Sequence, residues 1–591
     1  MAEELSPVDR RSLVVDHLTI RYYGREVDAL RELSLEVDAG ELVGVAGRNG
    51  SGKSTLALAT AGFIPRVVRA KVAGSVTIAG EPLVDSSTGH AGAGGATAAR
   101  RHRVGIVFPN PANQLSATKV SVREELAFGL ENLGIPRAEM EQRIDAVLSR
   151  LGIEHLADRP PFALSGGEQQ RVAIGSIVAM GMGVLVLDEP TAQLDPLSTE
   201  AVGTLLTDLA AGGTAILVAE HASTVLGRTI RCLVLDDGRA VTVDVPGSAL
   251  GSRTLEPLGL HPPTVVALAE LAGVDPGMAW DEATIAAALE RRFVRQDGRP
   301  PTNRPTDRAP DRVQSWTPVR EQQVAGVELR GLTHRYAGGI EALRGVDLRI
   351  EPGETVAIVG QNGSGKTTLV KHLNGLLRPT AGSVAIGGRD TGAERIDELA
   401  SLVGFVFQNP DDQLFNRTVE REVAFGPRNL RLGDAQAARL VDQAIEAAGL
   451  QAERTANPYD LNVSGRKLVA LASVLAMDPA VLVLDEPTTG QDGPGVDRIG
   501  AVVEALQQAG RTVVAITHDM EFAAARFDRI IVMRLGEIID DGPPVAVFAS
   551  ENHDRLASTG LAPPATARIS SRLGLDPFII DPAELRSLVG A

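Results

Sequence analysis

The sequence predicts an α/β protein made of two copies of one unit, each with a mainly parallel sheet at its core. Three observations carry that expectation. Leu42–Ala46 and Val184–Leu187 are continuous apolar runs, as strands buried on both faces require. Ser198–Ala211 and Val496–Gln508 space their apolar residues three and four apart, as amphipathic helices do. The chain also repeats itself. Ala39-Gly-Glu-Leu-Val-Gly-Val-Ala-Gly47 returns as Pro352-Gly-Glu-Thr-Val-Ala-Ile-Val-Gly360, and Val184-Leu-Val-Leu-Asp-Glu-Pro190 returns as Val481-Leu-Val-Leu-Asp-Glu-Pro487. Strands alternating with helices, twice over, imply a sheet covered by helices.

The offset between copies is 313 at the first landmark and 297 at the second, so the first copy carries 16 additional residues. Fourteen are assigned to the Gly/Ala/Ser/Thr tract at 85–100, which reads as a flexible insert. The other two are assigned near Ser165. A third echo, Gly259-Leu-His-Pro-Pro263 with Gly560-Leu-Ala-Pro-Pro564, adds a small C-terminal extension to each copy. Between the copies, Arg291 to Gln323 holds five prolines, eight arginines and no lysine, so it reads as an extended tether that cannot fold alone. The expected organisation is a first domain at 11–245 with its extension at 246–290, a linker at 291–325, and a second domain at 326–545 with its extension at 546–591. A length of 591 residues is consistent with several domains, since single cores stop growing well below it.

Composition narrows the function. A formal charge of −17, from 75 acidic and 58 basic side chains, disfavours a polyphosphate backbone as the default partner. One cysteine, Cys232, excludes a disulfide framework and a Cys-rich zinc site. The polar segment Met1–Arg10 leads us to expect no secretory leader, and no apolar stretch is long enough to span a bilayer. A cytoplasmic protein is the expectation.

The chemistry is expected at the ends of the apolar strands. Gly47, Arg48, Asn49, Gly50, Ser51, Gly52, Lys53 and Ser54 satisfy the eight-residue P-loop pattern, and so do Gly360, Gln361, Asn362, Gly363, Ser364, Gly365, Lys366 and Thr367. Each lies between a strand and a helix, where glycine backbone N–H groups and the helix N-terminus can cradle a β-phosphate. Lys53 and Lys366 are expected to reach the β/γ oxygens. Ser54 and Thr367 offer a hydroxyl to Mg²⁺, and Thr55 and Thr368 complete the ATP-binding segments. Asp188 and Asp485 close four-residue apolar strands and are placed to hold the same cation. Glu189 and Glu486 follow at once as candidate general bases. His221 and His518, each 32 residues beyond that glutamate and after another apolar run, are read as γ-phosphate sensors.

Leu164-Ser-Gly-Gly-Glu-Gln-Gln-Arg171 makes the resemblance plain: it looks like the signature motif of ATP-binding-cassette (ABC) ATPases, with Ser165, Gly166, Gly167 and Glu168 as signature residues. The resemblance covers both copies. It implies two P-loop NTPase domains of ABC type, each with a helical signature subdomain, and a head-to-tail sandwich in which ATP lies between one domain's P-loop and the other's signature. The family's adenine-stacking aromatic maps onto Tyr22 and Tyr336, and its D-loops onto Ala192-Gln-Leu-Asp195 and Thr489-Gly-Gln-Asp492.

Departures from the pattern are informative. Gln408, in Phe405-Val-Phe-Gln-Asn-Pro410, fits the family's Q-loop glutamine, a ligand of Mg²⁺ and water. The first copy has Pro109 there, which offers neither acceptor nor N–H in its side chain and ring nitrogen. The second signature, read as Ser464 and Gly465 within Asn462-Val-Ser-Gly-Arg-Lys467, is taken as two residues short, with Arg466 obstructing the second glycine position. Under head-to-tail pairing both lesions fall in one site. The expectation is one competent site on the second P-loop and one impaired site that still binds ATP.

Asn409-Pro-Asp-Asp-Gln-Leu-Phe415, followed by Thr418-Val-Glu-Arg-Glu-Val-Ala-Phe-Gly-Pro427, looks like energy-coupling-factor (ECF) and cobalt-type importer ATPases. That resemblance implies a transmembrane T component, contacted through Asp411 and Asp412 by charge-assisted pairs. It further implies a separate substrate-binding S component and a peripheral position on the cytoplasmic face of the plasma membrane. The alternatives are a soluble tandem ABC ATPase acting on ribosomes or DNA, and the ATPase pair of another ABC transporter.

Overall fold

The computed structural model describes residues 11–85, 104–192, 194–294, 316, 318, 324–575 and 585. The predicted insert beyond residue 85, Gln193 of the first D-loop, most of the predicted linker and the end of the second extension lie outside the described residues. The chain divides into two compact units. The first runs to Glu270 and includes Asp275–Trp280; the second holds Leu271–Val274 and Asp281 onward. The division therefore falls ahead of the Pro/Arg-rich stretch. The helix Glu282–Val294, expected in the first copy's extension, groups with the second unit, where Arg568, on the helix Ala565–Arg572, clasps Glu282 Oε1 from Nε at 2.9 Å and Nη2 at 2.5 Å.

The strands of the first unit are β1 (Arg11–Tyr22), β2 (Leu30–Asp38), β3 (Leu42–Gly47), β4 (Ala70–Ile78), β5 (Glu81–Asp85), β6 (Val104–Val107), β7 (Val184–Asp188), β8 (Ala215–Ala219), β9 (Arg231–Asp236) and β10 (Arg239–Asp244). A six-stranded sheet runs in the order β10-β9-β3-β8-β7-β6, parallel except for the edge strand β10. β10 returns through Asp237-Gly238, both at positive φ (43° and 75°), the backbone an Asp-Gly hairpin favours. A second, antiparallel sheet, β2-β1-β4-β5, is an element the sequence reading did not single out.

The second unit repeats this with β11 (Val327–Arg335), β12 (Glu341–Ile350), β13 (Thr355–Val359), β14 (Ala381–Ile386), β15 (Arg389–Asp390), β16 (Val403–Val406), β17 (Val481–Asp485), β18 (Thr512–Ile516), β19 (Arg529–Arg534) and β20 (Glu537–Gly542), ordered β16-β17-β18-β13-β19-β20 and β12-β11-β14-β15.

Period-two alternation explains the uninterrupted apolar strands. Val184 and Val186 of β7 enter the core shared with the antiparallel sheet, while Leu185 and Leu187 enter the core beneath the helices. Val481 and Val483 divide from Leu482 and Leu484 in the same way. The helices Val122–Asn132, Arg137–Leu151 and Gly166–Ala179 cover the far core in the first unit. In the second unit the counterpart of Val122–Asn132 is split into Val419–Val423 and Phe425–Asn429, where Pro427 lacks the N–H that a continuing helix would use.

The split helix also locates the two-residue difference between copies. Leu115 lies seven residues before Val122, whereas Leu414 lies five before Val419. The length change is therefore in this loop and not at the signature. In both units a buried glutamate ties the loop down. Glu125 accepts the Ser116 N–H and hydroxyl at 2.7 Å, and Glu422 accepts the N–H groups of Phe415 and Asn416 at 3.0 and 2.6 Å.

Candidate functional site

Both P-loops sit between a central strand and a helix start, at the carboxyl ends of β3 and β13. The helices Lys53–Thr60 and Lys366–Leu373 begin at Gly52 and Gly365, whose φ values of 110° and 104° favour glycine. A Cβ there would lie 2.7 Å from the Ala29 carbonyl oxygen or 2.6 Å from that of Ala342, so the tight loop excludes other residues. Lys53 Nζ donates to the Gly47 and Arg48 carbonyls at 2.8 and 3.1 Å, and Lys366 Nζ donates to those of Gly360 and Gln361 at 2.6 and 2.8 Å. Ser51 Oγ and Ser364 Oγ are buried without a hydrogen-bond partner, a cost that a bound phosphate oxygen would relieve. Tyr22 and Tyr336 are tied to the same helices, their hydroxyls 3.0 and 3.1 Å from Thr55 Oγ1 and Thr368 Oγ1.

The acidic pairs end β7 and β17, beside these loops. Ser54 Oγ donates to Asp188 Oδ1 at 3.1 Å, whereas the buried Asp485 Oδ1 has no hydrogen-bond partner. Burial, then the neighbouring Glu189 or Glu486 charge, pushes both aspartates up to about 6. Among the described residues no cluster of three His, Cys, Asp or Glu side chains could hold a metal alone. A cation here would need oxygens from a nucleotide as well as Ser54 and Asp188, or Thr367 and Asp485.

Glu189 and Glu486 stand at φ 46° and 50°, a left-handed backbone that turns each side chain out of its strand. His518 Nδ1 lies 2.8 Å from Glu486 Oε2. Burial raises the carboxyl, but His518 together with Lys366 and Lys467 holds it below its usual range; burial lowers His518, and Glu486 more than reverses that. In the first unit His221 Nε2 is shared, 3.3 Å from Glu189 Oε1 and 3.2 Å from Asn49 Oδ1. Beside it is a group the sequence reading missed. The buried Glu220 carboxylate accepts the Thr191 hydroxyl at 2.7 Å and the His221 N–H at 2.8 Å, and burial pushes its pKa up. Thr517 holds that place in the second unit, so comparing the residue before each histidine would have found it.

The two signature regions start their helices in the same register. Ser165 caps the helix Gly166–Ala179 in a reciprocal capping box with Glu168, whose Oε2 accepts the Ser165 N–H and hydroxyl at 2.8 Å. Asn462 caps the helix Val463–Leu475 at the equivalent place, accepting the Gly465 N–H at 2.8 Å. Counted from the caps, the second signature is in register and not shortened. Val463 and Ser464 replace Gly166 and Gly167, and Gly465 replaces Glu168. Arg466 replaces Gln169 and does not occupy a glycine position. It turns away to the Q-loop, with Nε 2.8 Å from Asp411 Oδ1 and Nη1 2.9 Å from the Leu461 carbonyl. Asp411, expected to contact the T component, is thus already paired within its own unit. Asp412 and Gln408 are exposed. Pro109 and Gln408 stand at matching points, and Gln114 and Gln413 brace both turns through the N–H groups of Phe108 and Phe407.

The ABC transporter family model matches residues 30–192 and 343–489, just over half of the chain. A Methanosarcina acetivorans protein, provisionally named as an ABC transporter ATP-binding protein, is 36% identical over 590 residues, covering 98% of this chain and 93% of that one. A similarly named Streptomyces coelicolor protein is 35% identical, covering 93% and 97%. Among solved structures, cbiO1 from Clostridium perfringens, part of the ABC transporter complex cbiONQ, is 35% identical with a TM-score of 0.36, covering 39% of this chain and 94% of that one. The ATP-binding cassette MJ0796, in a dimeric post-hydrolysis state bound to ADP and Pi, is 30% identical with a TM-score of 0.35, covering 37% and 98%. Among the described residues no helix is long and apolar enough to cross a membrane. With two P-loops, two strand-end acidic pairs and two histidines in the same arrangement, this chain belongs to the ABC transporter family as a tandem ATP-binding, ATP-hydrolysing subunit.

Proposed function

We propose that this chain powers an ECF-type importer of a vitamin or transition metal. In this reading it works from the cytoplasmic face of the plasma membrane with a transmembrane T component and a substrate-binding S component. Its two cassettes close head to tail on ATP, and only the site on the second P-loop hydrolyses efficiently. One observation carries the asymmetry: the second unit pairs Glu486 with His518 at 2.8 Å and keeps Gln408, whereas the first has Pro109 and a histidine shared between Glu189 and Asn49. Val463, exposed at the first glycine position of the second signature, adds a branched side chain where backbone should meet phosphate.

ATP is held by the loop N–H groups, Lys366 and Ser364. Glu486 orients the attacking water and accepts its proton, and His518 holds that carboxylate in place. Magnesium fits the orphaned Asp485 Oδ1 together with Thr367 and Gln408, and the Ser54–Asp188 pair in the first unit. Bound there, it would supply positive charge to the phosphate oxygens.

The Asn409–Phe415 and Thr418–Pro427 segments support the ECF reading. Asp412 is exposed for a basic partner residue, while Asp411 would first have to exchange Arg466. Affinity purification from detergent-solubilised membranes tests the assignment. A polytopic membrane protein in fixed ratio is expected; sedimentation with ribosomes and no membrane protein would overturn it.

A further inference from the structure

We infer that Lys467 is a positioning residue for hydrolysis, fixing the peptide that carries Glu486. The lysine is the fifth residue after the Asn462 cap and points inward, with 7% of its surface exposed. Its ammonium donates to the Glu486 carbonyl oxygen at 2.9 Å. On the other side of the same residue, the Glu486 N–H donates to the Ile516 carbonyl at 3.0 Å. Glu486 is thereby held at both ends in its left-handed conformation, and the direction of its side chain follows from that backbone. A charged donor makes the stronger class of hydrogen bond, and it is buried here, where water does not compete.

The first unit lacks this device. The fifth residue after the Ser165 cap is Gln170, which is 1% exposed and leaves Nε2 without a hydrogen-bond partner. The Glu189 carbonyl instead accepts the Ala192 N–H at 3.3 Å. Burying a lone lysine is costly, and burial lowers Lys467 to about 8, opposed by the charges of Glu486 and Asp485. Those carboxylates, together with the carbonyl bond, offset the cost of keeping a cation where the other unit keeps an amide. The lysine's hydrogen bond goes to the Glu486 carbonyl and not to a P-loop residue. It acts through Glu486, on the placement of the water-activating carboxylate.

This inference rests on the second site being the hydrolysing one, so its test uses the full chain carrying Glu189→Gln, in which turnover reports that site. Adding Lys467→Met should lower kcat by about tenfold or more, since small misplacements of a catalytic group cost that much. KM for ATP and the affinity for a fluorescent ATP analogue should stay within about twofold, because the P-loop contacts are untouched. If Lys467→Met melts below the assay temperature, Lys467→Gln, which installs the first unit's residue, carries the same expectation. A folded variant with unchanged kcat overturns the inference. A rise in KM that accounts for the loss also overturns it, since that is a binding defect. A Glu189→Gln parent with no turnover refutes the asymmetry itself, and the role of Lys467 falls with it.

Discussion

The strands that carry the chemistry of the second unit are joined at their roots by a buried ion pair. Asp478 precedes β17 and Arg511 precedes β18, with Arg511 Nη2 2.9 Å from Asp478 Oδ1 and side chains 3% and 1% exposed. Trp316, from the predicted tether, is buried against the same pair, its Nε1 3.4 Å from Asp478 Oδ1. This part of the predicted linker is therefore docked on the second unit. Asp478→Asn is the informative perturbation, because asparagine tolerates the observed φ of 50° and keeps the shape while removing the charge. Taking one partner from a buried pair costs about 3–5 kcal/mol. With a urea slope of about 3 kcal/mol/M, the midpoint of the second unit should fall by roughly 1 M or more. The chain has two tryptophans, and the other, Trp280, lies in the first unit. In a Trp280→Phe background, fluorescence therefore reports Trp316 alone. The expected result is a blue-shifted native emission and a lowered urea midpoint in the aspartate variant. A solvent-exposed emission maximum in the parent, or an unmoved midpoint, would show that the buried pair does not hold this part of the unit together.

Other outcomes follow from the same structure. Cys232 is buried in the first unit, and burial pushes its thiol up to about 12, so it stays protonated at neutral pH; an alkylating reagent should label it only after denaturation. Glu422→Gln should destabilise the second unit by about 1.5–3 kcal/mol, since the buried charged acceptor of two loop N–H groups is lost, and thermal melting would measure it. Gly365→Ala places a Cβ 2.6 Å from the Ala342 oxygen, so ATP-analogue binding at the second P-loop should be lost while the equivalent first-unit loop still binds.

The parallel sheets were legible because strands buried on both faces leave uninterrupted apolar runs, and the P-loops because phosphate cradles demand glycine at fixed spacing. The register of the second signature was not. Ser464-Gly465 resembles the Ser-Gly of the first signature, but a helix start is defined by its cap, and Asn462 caps as well as serine does. Offsets between distant landmarks also cannot say where two residues were gained, and the structure places them before Val122 rather than at Ser165. Lys467 and the Asp478–Arg511 pair went unseen because each gains meaning only from a neighbour remote in sequence. The grouping of the helix Glu282–Val294 with the second unit was hidden for a similar reason, since its partner Arg568 lies 286 residues away.

The central claim is that one of the two ATP sites hydrolyses and the other retains its nucleotide. A single-turnover experiment tests it directly: load the full chain with ATP, start the reaction with magnesium, quench after one round and count bound ADP and ATP per chain. Equal amounts of the two nucleotides are expected, with Glu486→Gln abolishing the ADP and slowing turnover by about a hundredfold, as loss of a general base does. Conversion of both bound nucleotides to ADP, or an equal loss from Glu189→Gln, would contradict it.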